Sequence, residues 1–177
     1  FEWNYGIRDN FDRVNLYRNT SLEFQICFLN FWIFSSRVNY NFGLYDDRET
    51  RGNGLYKKPK SINYSSSLRT NNSKDVYLSF SASYNKNDRG SDNYSLSPQF
   101  VIKPSTNIYF NLGFSFQKYN NYEGFVTNID EDNKIKTIFA NRDTKEYNLS
   151  LYSSITFLNN LSLELYSQLF FASGQFK

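Results

Sequence analysis

The chain has 177 residues, among them 15 Tyr, 18 Phe and one Cys, with neither His nor Met. Lacking His, it cannot carry Ser-His-Asp or Cys-His catalysis or His-ligated zinc. The single Cys27 allows no internal disulfide, and no apolar run approaches the ~20 residues of a spanning helix. Lys and Arg number 20 against 17 Asp and Glu, a net charge of +3. Both signs are mixed within the same polar segments, which reads as solvated surface and not as the one-sided basic face of a nucleic-acid binder.

Period two runs through the chain from its start. Phe1, Trp3, Tyr5 and Ile7 read as the tail of a strand, and Leu22, Phe24, Ile26 and Phe28 as the next. Trp32, Phe34, Val38, Tyr40 and Phe42 alternate with Ile33, Ser35, Arg37, Asn39 and Asn41. The stripes Ile62, Tyr64, Leu68, then Leu78, Phe80, Ala82, Tyr84, then Tyr94, Leu96, Phe100, Ile102 follow. Ile108, Phe110, Leu112, Phe114 and Phe116 form the cleanest stripe. The parity then shifts by one: Tyr147, Leu149, Leu151, Ile155 and Phe157 precede Leu161, Leu163, Leu165, Leu169 and Phe171. No segment carries apolar residues at i, i+3, i+4 and i+7 over three turns, so strands are expected and helices are not.

The connections alternate in length. Short ones fall at 29–31, 71–74, 103–107 and 158–160; longer polar ones at 9–13, 45–59, 86–92 and 119–146, with Gly, Asn, Asp and Pro supplying turn chemistry. The last of these reads as an extended hairpin, with arms at 124–126 and 135–139 and its tip at Asp130-Glu131-Asp132-Asn133. Short turns at one end and long loops at the other describe an antiparallel up-and-down meander. Residues 1–177 form a single segment of eight or nine strands with no linker.

Strand length and face chemistry then address the surroundings. The stripes run ten residues or more, against ~5–6 for an average soluble strand and ~9–11 for a membrane-spanning one. The polar parity is mostly Ser, Asn, Gln and Thr, as at Ser79, Ser81, Ser83, Asn85 and at Asn148, Ser150, Ser154, Thr156. That suits a hydrated lumen, and the Phe, Tyr, Leu and Ile parity suits lipid. The expected fold is all-β, a meander forming part of a transmembrane outer-membrane β-barrel, with free first and last strand edges. Two alternatives stay open: a secreted soluble all-β adhesin or sandwich, and a complete eight-stranded barrel with a filled interior.

The stretch Phe42-Gly43-Leu44-Tyr45-Asp46-Asp47-Arg48-Glu49-Thr50-Arg51-Gly52-Asn53-Gly54 resembles an Asp-Asp-Arg-x-Thr-Arg-Gly-Gly signature. Lys58-Pro59, Leu96-Ser97-Pro98, Lys103-Pro104-Ser105 and the late strand from Leu161 to Gly174 are similar to the rest of the same pattern. Asn53 stands where that pattern has a second Gly. The family is an uncharacterised Gram-negative outer-membrane β-barrel family of unknown function. Its members commonly follow a domain resembling a family-nine carbohydrate-binding module. The resemblance implies a bacterial outer-membrane location and a piece of a longer protein. It also implies a transport, surface-binding or scaffolding role, with no established catalytic residues to transfer. The implied partners are outer-membrane lipid and lipopolysaccharide, a glycan through the missing amino-terminal domain, and other envelope subunits, with no nucleic acid.

The loop that carries the resemblance is the candidate functional segment: Asp46, Asp47, Arg48, Glu49, Arg51 and Gly52. Its alternating charges favour Arg48 and Arg51 pairing with carboxylates of this or a neighbouring loop, folding it over the barrel mouth. The alternative is that the two guanidiniums bind a sugar or lipid phosphate. Asp130 to Asn133 clusters oxygens of the kind that hold Ca²⁺, but without the Gly and distant Glu of an EF-hand it reads as a solvated tip. Asp46 and Asp47 are adjacent and so do not define the two-carboxylate geometry of a glycosidase. Cys27 reads as a small strand residue. No catalytic residue, metal or cofactor is expected.

Overall fold

The computed structural model describes residues 1–131, 134–158 and 160–176. Eleven strands follow in chain order: β1 (Glu2–Asp9), β2 (Asn15–Cys27), β3 (Ile33–Asn41), β4 (Tyr45–Asp46), β5 (Tyr56–Lys57), β6 (Ser61–Arg69), β7 (Val76–Asn87), β8 (Asp92–Ser105), β9 (Ile108–Glu131), β10 (Lys134–Leu158) and β11 (Leu161–Phe176). Nine of them form one antiparallel meander in the order β1-β2-β3-β6-β7-β8-β9-β10-β11, and β4 and β5 form a separate hairpin.

Register converts the separate stripes into two continuous faces. The ladder joins Leu22, Val38, Tyr64, Tyr84 and Tyr94, and one row away Ala82, Leu96, Phe116, Tyr147 and Phe171. The parity shift at Tyr147 is therefore no break, because Tyr147 stands directly opposite Phe116. The other face carries Asn39, Asn63, Asn85 and Asn93 in one row, and Ser65, Ser83, Ser95 and Gln117 in the next. Hydroxyls and amides satisfy one another across the strands, with Ser35 2.7 Å from Ser67, Ser83 2.8 Å from Ser95, and Gln99 donating to Asn111 at 3.0 Å. Arg37 and Glu23 pair on the same face.

Nothing covers the apolar face among the described residues. Val101 is the only buried hydrophobic residue among them, while Leu78, Phe80, Leu96, Phe100, Phe114 and Leu149 all remain about two-fifths exposed. The accessible surface is 12522 Å², whereas a compact protein of 21.0 kDa has about 9,000 Å². The excess is the signature of a single layer. A sandwich would set a second sheet against this face, and no such sheet exists among the described residues. Nor is the complete eight-stranded barrel formed: β1 pairs only with β2 and β11 only with β10, leaving both outer edges open.

Three tight connections share one geometry. In 10–14, 28–32 and 87–91 the first residue's N–H donates to the carbonyl four residues on, and its own carbonyl accepts from the residue three on. That fourth residue is left-handed: Arg13 at φ 59°, Phe31 at 62°, Gly90 at 83°. Asn10 and Asn87 reinforce two of them, each carboxamide oxygen accepting two backbone N–H groups. Asn supplies this bracing because its side chain mimics a backbone carbonyl.

Two of the long connections differ from expectation: the segments 9–13 and 86–92 are tight turns. The extended hairpin expected within 119–146 is present, residues up to Glu131 pairing with those from Lys134 onward, and β9 and β10 project beyond the neighbouring strands. Charged and amide side chains interrupt hydropathy without interrupting backbone pairing, which every N–H and C=O still requires. Bulges at Ile138/Phe139 and Arg142/Thr144, and Asn121 at φ 51°, mark where the hairpin leaves the sheet. The Asp130 to Asn133 tip lies partly outside the described residues; Glu131 pairs with Lys136.

Candidate functional site

Only one long excursion remains, 42–60, between β3 and β6. It begins at Gly43, whose φ of 64° turns the chain back over the sheet. A Cβ there would lie 2.5 Å from the Lys60 nitrogen and 2.7 Å from the Pro59 carbonyl carbon. Glycine is thus required twice over, by the left-handed backbone and by close approach. Lys58 donates to the Leu44 carbonyl at 2.8 Å, and β4 pairs with β5 through Tyr45↔Lys57 and Asp46↔Tyr56.

The tip is organised from within. Asp46 Oδ1 accepts the Arg48 and Glu49 N–H groups at 2.9 and 3.1 Å, and its Oδ2 accepts from Lys58 Nζ at 3.1 Å. Thr50, 5% exposed, donates to the Gly54 carbonyl at 2.6 Å. Arg51 is left-handed at φ 56°, followed by Gly52 at 91° and Gly54 at 93°.

Outside contacts hold the excursion on both sides. Asn10 of the β1–β2 turn reaches Asp47 at 3.4 Å. In the opposite direction Asn128 of β9 donates to the Thr50 carbonyl at 3.3 Å. Arg89, in the β7–β8 turn, gathers three elements: it donates to Tyr56 Oη and to Glu123 Oε2, both at 2.7 Å, and to the Lys57 carbonyl. The Tyr56 ring lies 4.7 Å from that of Phe139. A loop that leaves between β3 and β6 yet touches β1–β2 and β9–β10 lies across the long-loop end of the polar face. Beneath it is a cavity of about 340 Å³, with Leu44, Lys58 and Pro59 on the lid side and Asn41, Asn85 and Asn93 on the sheet side.

Electrostatics follow the contacts. Burial pushes the Asp46 carboxyl up, but the Arg48 N–H, Lys58 and the Glu49 N–H together outweigh it and hold the group below the usual carboxylate range. Burial, then the neighbouring Glu123 carboxylate, pushes the Tyr56 hydroxyl up to about 12 against the opposing Arg89. The hydrogen bond to Glu123 leads in raising Arg89 above its ordinary value.

A depressed Asp46 stabilises the lid above the carboxyl's unfolded pKa of about 4. That contribution is lost as pH falls through the lower folded value. A nitroxide at Asn53 is therefore expected to gain mobility between about pH 5 and pH 2, and Asp46→Asn to show high mobility at both. Unchanged spectra across that range would show that Asp46 does not hold the lid.

Of the residues singled out in the sequence, Asp46, Asp47, Arg48, Glu49, Arg51 and Gly52 do share one folded tip, but the ion pairing expected of it is corrected. Among the described residues Asp46 pairs with Lys58, and neither Arg48 nor Arg51 takes part in an ion pair. The Arg51 guanidinium instead lies 5.5 Å from the Phe125 ring centroid. Asp46 and Asp47 turn to different partners and form no carboxylate pair. Cys27 is exposed, on the polar face opposite Ile33. The reading from sequence missed Thr50, Tyr56, Lys58, Arg89, Glu123 and Phe139. No local spacing could have found them, since the contact between Tyr56 and Phe139 spans more than eighty positions.

A family model described as Domain of unknown function (DUF5916) matches residues 1–177. No curated protein and no solved structure matches the chain.

Proposed function

The chain belongs to this family of unknown function, and from that premise we propose that its sheet is part of an outer-membrane β-barrel in a Gram-negative envelope. Its role there is transport, surface binding or scaffolding, without catalysis by this chain. Lipid and lipopolysaccharide meet the apolar face, further strands or envelope subunits meet the open edges, and any glycan is bound through a neighbouring domain. The observation that carries this reading is the uncovered apolar face, continuous in register over nine strands and backed by a Ser/Asn face. In water such a face would cost roughly 25 cal/mol for each Å² left exposed; in hydrocarbon it costs nothing, and the bilayer's demand that no N–H or C=O be left unbonded is met by the inner strands and requires further strands at the open edges of β1 and β11. The lid 42–60 then covers the polar face at the end from which the β9–β10 hairpin also projects, the longer features marking the outward end of such barrels.

Adjacent residues on opposite faces test this. Phe100 and Gln99, each replaced by Cys in a Cys27→Ser background and labelled with an environment-sensitive dye, are expected to part company in vesicles. The dye at 100 shifts to the blue and is quenched by nitroxide lipid; the dye at 99 is quenched by aqueous iodide. Equal iodide quenching at both positions would rule the membrane reading out and leave a water-soluble all-β protein.

A further inference from the structure

Between the lid tip and the projecting β9–β10 hairpin lies a second hollow, of about 370 Å³, lined by Glu49, Arg51, Tyr122, Phe125, Arg142 and Phe176. Both its arginines lie over aromatic rings: Arg51 is 5.5 Å from the Phe125 centroid and Arg142 is 5.2 Å from that of Tyr122. Neither belongs to any of the ion pairs formed among the described residues. We propose that this hollow is an oxyanion site in which Arg51 and Arg142 hold a phosphate group.

The chemistry follows from the shape of guanidinium. A ring under the guanidinium takes none of its N–H donors by hydrogen bonding to an acceptor oxygen, and the planar fork of those donors matches two oxygens of a phosphate. The ring contact also fixes the side chain, so less rotamer entropy is lost when the anion arrives. Two guanidiniums against one carboxylate, Glu49, leave the hollow positive.

The backbone supports the same assignment. Arg51 adopts a left-handed conformation that Gly or Asn takes at far less strain. Strain of that kind persists where surrounding structure enforces it, and it concentrates at ligand clamps. Here the enforcement is visible: buried Thr50 closes onto Gly54, its carbonyl is held by Asn128, and the Arg51 N–H bonds the Arg48 carbonyl at 2.9 Å. The chain thus spends order on placing one arginine at the hollow. A bound phosphate would bridge lid and hairpin and keep the lid shut.

The phosphate has two possible sources, a soluble anion or a lipid headgroup, and the site stands whether or not the apolar face meets lipid. Calorimetry with inorganic pyrophosphate on detergent-solubilised protein addresses the first. Co-sedimentation with phosphatidylglycerol against phosphatidylcholine vesicles addresses the second. In whichever arm binding appears, Arg51→Gln and Arg142→Gln are each expected to weaken it by about tenfold or more, and Arg51→Lys by less, since it keeps charge and loses the fork. Glu49→Gln is expected to tighten it, a gain that misfolding cannot mimic. Saturation by pyrophosphate assigns a soluble anion; saturation only on phosphatidylglycerol assigns a headgroup. No binding in either arm, or binding indifferent to both arginines and to Glu49, overturns the site.

Discussion

Replacing Leu112 with Arg is expected to cost about 2–4 kcal/mol of folding free energy in a bilayer, the midplane cost of a cation on the lipid face of a barrel. Leu112 sits between Phe100 and Leu151 in the ladder, at the centre of the stripe from Ile108 to Phe116, and is 45% exposed. Its neighbour Asn111 lies on the other face, where it accepts a hydrogen bond from Gln99. Asn111→Ala removes one such bond on a hydrated surface and is expected to cost about 1 kcal/mol. The contrast discriminates because water reverses it. On a solvated face Leu112→Arg would be within about 0.5 kcal/mol of neutral, as surface changes usually are. Urea titration of the protein folded into vesicles measures both variants. A cost at 112 no larger than that at 111 would remove the lipid from the account.

The second large effect is expected at Gly43. An added Cβ meets three backbone atoms of the returning lid strand: the Lys60 nitrogen at 2.5 Å, the Pro59 carbonyl carbon at 2.7 Å and the Lys58 oxygen at 2.8 Å. Backbone cannot rotate aside as a side chain can, so 58–60 must move. The left-handed φ adds about 1–2 kcal/mol for any L-residue with a Cβ. Gly43→Ala is thus expected to displace Lys58, separate it from Asp46 and lift the lid, read as a large rise in mobility of a nitroxide at Asn53. Gly52→Ala and Gly54→Ala meet nothing within 4 Å and bear only the backbone strain. Gly113→Ala meets the Ser150 hydroxyl at 2.8 Å, which can swing away. Arg89→Ala removes the contacts to Tyr56, Lys57 and Glu123 without straining the backbone, so its effect is smaller. If Gly43→Ala leaves the label as immobile as before, Gly43 is not the hinge on which the lid rests.

If the sheet lies in a membrane as proposed, the lid governs access to the polar face, and Gly43→Ala and Arg89→Ala would raise solute flux without changing insertion. The Ser rows at the centre of that face, Ser65, Ser83 and Ser95 among them, line a separate hollow of about 350 Å³. The open edges of β1 and β11 bear on the same reading. β11 is exposed along its whole length, with Leu163, Leu165 and Leu169 each more than half exposed. A long apolar edge of that kind invites strand addition.

Alternation of side chains is a local property of an extended backbone, so the strand stripes were legible in the residues themselves. Ile108 to Phe116 could be assigned from sequence because each side chain's face depends only on its own position in the pleat. The same logic located the open meander, since consecutive strands joined by tight turns pair in order. It failed at 86–92, where polar residues masked strand ends that backbone pairing continues, while the hairpin within 119–146 was legible from its apolar arms. It also failed within the lid. Its glycines and alternating charges were visible, but not that Lys58 would take Asp46, that Arg51 would lie over Phe125, or that Arg89 would hold Tyr56 and Glu123. Those partners are brought together by strand order and by the bend of one hairpin. Charges within a six-residue run have many near-equal partners, and only the folded geometry, by fixing distance and desolvation, makes one of them win.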